Sequence, residues 1–164
     1  MRLILSALLL FLATTLFGQE MNNAKLDSLF HTYTDSVVGG AGQWEIYIAE
    51  TIMFCITDER HDRMRIITPV KPLDSATPAE IMDCMEANFH TALDVKYAIA
   101  DDVLWVAFIH PLSPLQEDQV IDALAQVRSA YLTYGTLYTS TDLVFPKSEK
   151  EAETSETKPK TKRL

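Results

Sequence analysis

Seven consecutive apolar residues, Val103-Leu104-Trp105-Val106-Ala107-Phe108-Ile109, limit what this chain can become more than any other feature. A short run rich in β-branched and aromatic side chains, preceded by an Asp101-Asp102 turn, reads as a strand. Successive strand side chains point to opposite sides of a sheet, so a strand apolar at every position has two faces to bury. Either the helices of the fold divide between the two faces of its sheet, or one face is covered by another chain.

The rest of the central sequence alternates helix and strand signals. Leu26, Leu29, Phe30, Tyr33 and Val37 fall on one helical face, and Gly39-Gly40 is expected to end that helix. Three period-2 segments follow: Trp44, Ile46 and Ile48; then Ile52, Phe54 and Ile56; then Met64, Ile66 and Thr68. A tight turn at Glu50-Thr51 and a charged one at Asp58-Glu59-Arg60-His61-Asp62 separate them, and Pro69 and Pro72 close the meander. Thr77-Pro78-Ala79-Glu80 is a capping box for a second helix whose apolar stripe is Ile81, Met82, Met85 and Phe89. Val95, Tyr97 and Ile99 make the strand before the apolar run. Ser113-Pro114-Leu115-Gln116 reads as a second capping box, opening a helix with Val120, Ile121, Leu124, Val127, Tyr131 and Tyr134 on one side. The expected architecture is α+β in the order α-βββ-α-ββ-α, an antiparallel five-stranded sheet packed with three helices.

Both ends differ in character from the middle. Residues 1–18 combine Arg2 with an apolar run from Leu3 to Leu12 and the small residue Gly18, the pattern of a cleaved secretory signal peptide. An uncleaved anchor is the rival, although Thr14 and Thr15 interrupt a run already short for a spanning helix. Residues 147–164 hold Glu, Lys, Thr and Ser with almost no apolar side chain, so a disordered charged tail is expected. The domain between, 19–146, carries seven basic and 19 acidic side chains, a net charge of −12. Such a domain has no basic footprint for nucleic acid and is repelled by anionic membranes; its partners are polypeptides or a second copy of itself. The signal places the mature protein in the periplasm or outside the cell.

Site chemistry is sparse. The four histidines, His31, His61, His90 and His110, show no metal-ligand spacing. Asp58, Glu59, His61 and Asp62 make a charged turn without the glycine and ligand rhythm of a calcium loop. Asp101-Asp102 is a hairpin connection before it is a pair of catalytic carboxylates. No nucleophile motif, P-loop or dinucleotide fingerprint occurs, so neither catalysis nor a cofactor is expected. In an oxidising compartment Cys55 and Cys84 are either two separate buried thiols or a disulfide. The alternation sets Cys55 opposite Ile52 and Phe54, and so away from the main core. The better lead is apolar surface: Met82, Met85 and Phe89 on the second helix are a candidate dimer or client interface. A small-ligand pocket between the helices and the apolar strand is the alternative, and an unrecognised hydrolase a more distant one.

Trp44 opening the first strand, Asp62-Arg63-Met64-Arg65-Ile66-Ile67 before Pro69-Val70, the helix end Glu86-Ala87-Asn88-Phe89 and the Val103–Ile109 strand leading to an acidic helix together resemble a known family. The order of elements is similar to the type III secretion chaperone-like fold, and in particular to its YbjN-type branch, over about residues 22–135. The resemblance implies a small, often dimeric, non-enzymatic domain that holds another polypeptide. It brings no catalytic residues. Type III chaperones act in the cytosol, so an export signal implies a variant that meets envelope or extracellular proteins instead.

Overall fold

The computed structural model describes residues 20–143; the expected signal peptide (1–18) and charged tail (147–164) lie outside them. The first helix, α1 (Asn23–Tyr33), is capped by the Asn22 side chain, which accepts from the Lys25 amide at 3.0 Å. Leu26 and Phe30 are its buried residues. It stops at Thr34, whose hydroxyl donates back to the Phe30 carbonyl at 2.6 Å. Val37 therefore does not continue the helix. It lies in a strand, β1 (Ser36–Gly40), antiparallel to β2 (Gln43–Ile48).

This corrects the expected five-stranded sheet: among the described residues there are six strands, and the order is one helix, four strands, a helix, two strands and a helix. The helical spacing of Val37 with Tyr33 is outweighed by local chemistry. The β-branched pair Val37-Val38 favours extended backbone. The Asp35 amide donates to Tyr47 O at 3.0 Å, starting the ladder. Gly39 at φ +109° lets the chain approach the Gln43 carbonyl where a Cβ would collide. Ala41 and Gly42, both left-handed, complete the hairpin turn.

After β2 come β3 (Thr51–Asp58) and β4 (Arg63–Pro72). Pro69 does not end β4; the strand passes through it, and its register against the last strand shifts between Pro69 and Lys71. Next come a 3-10 turn (Leu73–Ser75) and α2 (Pro78–His90), then β5 (Lys96–Ala100), β6 (Val103–His110) and α3 (Glu117–Leu132). α2 opens on the expected capping box at Thr77 and Glu80. α3 starts later than Ser113 suggests: Gln116 is the cap, its amide donating to Gln119 Oε1 at 2.8 Å. Ser113 is diverted to the charged turn, donating its amide (2.6 Å) and hydroxyl (3.1 Å) to Asp62.

The sheet order is β1-β2-β3-β4-β6-β5, antiparallel throughout. One core holds Trp44 and Ile46 of β2, Met53 and Cys55 of β3, Met64 and Ile66 of β4, and Leu104, Val106 and Phe108 of β6. Leu26 and Phe30 of α1, Cys84 and Ala87 of α2, and Val120, Leu124 and Val127 of α3 join the same core. Trp44 meets Phe30 edge-on at 5.5 Å and donates its indole N–H to Asp27 at 2.8 Å, tying α1 to the sheet. The inward face of β3 is thus the opposite of the one expected. Cys55 pairs with Trp44 on one side and Ile66 on the other, and those neighbours set which side of β3 is buried. Of the two ways to cover an all-apolar β6, the helices do not divide; all three pack on one face.

Candidate functional site

The three interface candidates on α2 point outward. Met82, Met85 and Phe89 are 60%, 47% and 80% exposed, while the buried residues of the helix are Cys84 and Ala87. The stripe faces solvent because α2 is oriented by polar anchors. The Asn88 side-chain amide donates to Tyr97 O (3.0 Å) and its oxygen accepts from Tyr97 N (2.7 Å), clamping the helix to β5. At the other end Glu80 accepts from the Thr77 amide (2.7 Å) and hydroxyl (2.9 Å), and pairs with Lys71 of β4 at 3.1 Å. These bonds hold its carboxyl well below the usual range, at about 2, the Thr77 amide being the largest cause. Asn88 has no sequence motif; a polar residue beside an apolar stripe was its only signal.

The second apolar surface is the back of the sheet. Glu45, Phe54, Ile67, Ala107 and Lys96 form one cross-strand row, and Ile56, Arg65 and Ile109 another. Trp105 lies on the same side, between Pro69 and Ala98. No helix among the described residues covers this side, and Ile52, Ile56 and Ile109 are exposed, Ile109 at 62%. Most of the apolar excess of β6 and β3 therefore faces outward, with Glu45, Arg65 and Lys96 among it and the cross-strand pair Asp58–Arg63 at the end of the β3–β4 hairpin.

The remaining candidates have structural partners. Asp58 accepts from the His61 amide and sits 2.6 Å from its Nδ1, which holds the Asp58 carboxyl below its ordinary value. Glu59 accepts from the amide of Asn23 at the start of α1. Asp62 is likewise lowered, first by the Ser113 amide. The carboxylates of this turn are thus spent on three different partners, one of them in the turn itself, and among the described residues no group of three or more His, Cys, Asp or Glu is arranged to hold a metal ion. Asp101 and Asp102 are both left-handed, the backbone of a two-residue hairpin turn. Cys55 and Cys84 are buried free thiols in this structure, on β3 and α2. Burial pushes both thiols up, Cys84 to about 11 with Asp83 and Glu80 adding to it. A non-reducing mass of the mature protein reads their pairing directly. No described helix is long and apolar enough to cross a membrane.

No family model matches the chain, and no curated protein matches it. Solved structures do. SchA, from the HopA1–SchA chaperone–effector complex, aligns with a TM-score of 0.53 at 10% identity, covering 68% of this chain and 94% of that one. The Yersinia pestis type III secretion chaperone SycH, solved with a fragment of YscM2, gives 0.49 at 12% identity over 66% and 98%. The likeness to SchA is one of fold: this chain has a chaperone-like fold.

Proposed function

We propose that the protein is an exported, non-catalytic, YbjN-like module that holds another polypeptide through the back of its sheet and pairs with a second copy through the α2 stripe. One observation carries the reading: all three helices lie on one side, leaving Ile52, Phe54, Ile56, Ile67, Trp105 and Ile109 uncovered on the other. Contiguous apolar surface of this kind on a folded domain marks an interaction site. Met82, Met85 and Phe89 supply a separate apolar face on a helix, and flexible methionines suit a partner surface. The fold shared with SchA, a protein solved in complex with an effector, supports polypeptide binding. The net charge of −12 on residues 19–146 favours a partner with basic groups around its apolar contacts. The signal-like pattern of residues 1–18 supports work in the periplasm or the exterior rather than the cytosol.

The test is affinity capture of the mature protein from its own envelope fraction, run beside the double variant Ile52→Asp, Ile109→Asp. Both positions are exposed, so the variant is expected to fold. A polypeptide recovered with the parent and absent from the variant is the expected result. Recovery of the protein alone, or the same set from both, contradicts the reading.

A further inference from the structure

A groove on the helical side, away from both apolar surfaces above, has the features of a ligand site. One wall is a flank of α3 that runs from the core residue Leu124 out to Ile121, Ala125 and Leu132; Ile48 of β2 and Tyr33 of α1 also line it, and the volume is about 420 Å3. Near one end the Tyr33 hydroxyl donates to Glu117 at 2.8 Å, linking α1 to α3. From Ile121 to Leu132 the wall is about 16 Å long at ~1.5 Å per residue. A groove of this volume along this wall has room for apolar groups laid lengthwise on α3.

The groove contains one cation. Arg128 lines it and forms no ion pair among the described residues, although acidic side chains outnumber basic ones in this domain by 19 to seven. Its Nε is buried and lacks a hydrogen-bond acceptor. That buried Nε is closed to a carboxylate as it is to water, so an anion in the groove meets the terminal groups of the guanidinium, where a charge-assisted hydrogen bond is among the strong ones. Apolar walls and a single guanidinium without an ion pair among the described residues together describe a receptor for an amphiphile with an anionic head.

We propose that this groove binds a single-chain fatty carboxylate, its head on Arg128 and its chain along Ile121, Leu124, Leu132 and Ile48. The site is independent of the polypeptide-holding surfaces. The probe is sodium dodecanoate below its micelle concentration, titrated calorimetrically into the purified chain, with dodecyltrimethylammonium as the control of opposite charge. Saturable binding at one equivalent is expected, at least tenfold weaker in Arg128→Met, which keeps the apolar stem, and absent for the ammonium. Leu132→Asp, at an exposed rim position, provides a second variant should Arg128→Met fail to fold; it is also expected to weaken binding at least tenfold. No saturable binding of dodecanoate, equal binding of the ammonium, affinity within twofold of the parent in either folded variant, or loss through Ile109→Asp instead each overturns the proposal.

Discussion

Glu80 does three jobs with one carboxylate. It closes the Thr77 capping box, accepts from the Thr77 hydroxyl and pairs with Lys71 across to β4. Its folded value near 2 lies below the ordinary 4.5, so the unfolded chain binds the proton more readily. The stability it contributes is fully present above pH 4.5 and is lost as pH falls from there towards 2. Glu80→Gln is expected to flatten the pH dependence of the denaturation midpoint across that window, without abolishing it, because Asp58 and Asp62 are also lowered. An unchanged slope would show the carboxylate to be unpaired in solution. The capping box itself was legible, since threonine, proline and glutamate at fixed spacing have a local mechanism. The inward direction of Cys55 and Met53 was not. Alternation shows that β3 has two apolar faces, but only pairing with Trp44 and Ile66 decides which one is buried.

At the scale of elements, α2 separates the existence of an apolar stripe from its direction. Periodicity gives Met82, Met85 and Phe89 one face, yet Asn88 and Glu80 turn that face to solvent. For this reason Met82→Asp with Met85→Asp is expected to leave the unfolding midpoint nearly unchanged, since exposed substitutions usually fall within about 0.5 kcal/mol. The mass by light scattering is expected to drop from dimer to monomer. A parent that is already monomeric, or a variant that stays dimeric, removes α2 from the interface. The missed strand β1 has a different cause. Val37 satisfies a helical spacing and a strand propensity at once. The decision falls to the Thr34 hydroxyl ending α1 and to the Ala41-Gly42 turn, which makes an antiparallel partner available next to β2. The late start of α3 is similar, because Ser113 serves Asp62 and not the helix.

For the whole molecule, the seven-residue apolar run stated the problem correctly and left its solution open. Among the described residues, three helices and six strands are arranged so that every helix packs on the same side, and the back of the sheet spans roughly 25 Å by 17 Å at ordinary strand spacings. The two faces of β6 are therefore expected to respond in opposite ways. Leu104→Ala, in the core, should lower stability by roughly 2–5 kcal/mol in a denaturant titration. Ile109→Asp, on the back, should change it little and remove binding. Equal effects on stability would mean that the back is a structural face after all. The most direct measurement is covalent surface labelling of the protein inside its own envelope fraction, compared with the purified chain. Protection of Ile52, Phe54, Trp105 and Ile109 in the fraction, with the exposed Leu137 labelled alike in both, is the predicted result; equal labelling of the sheet back in both would contradict the account.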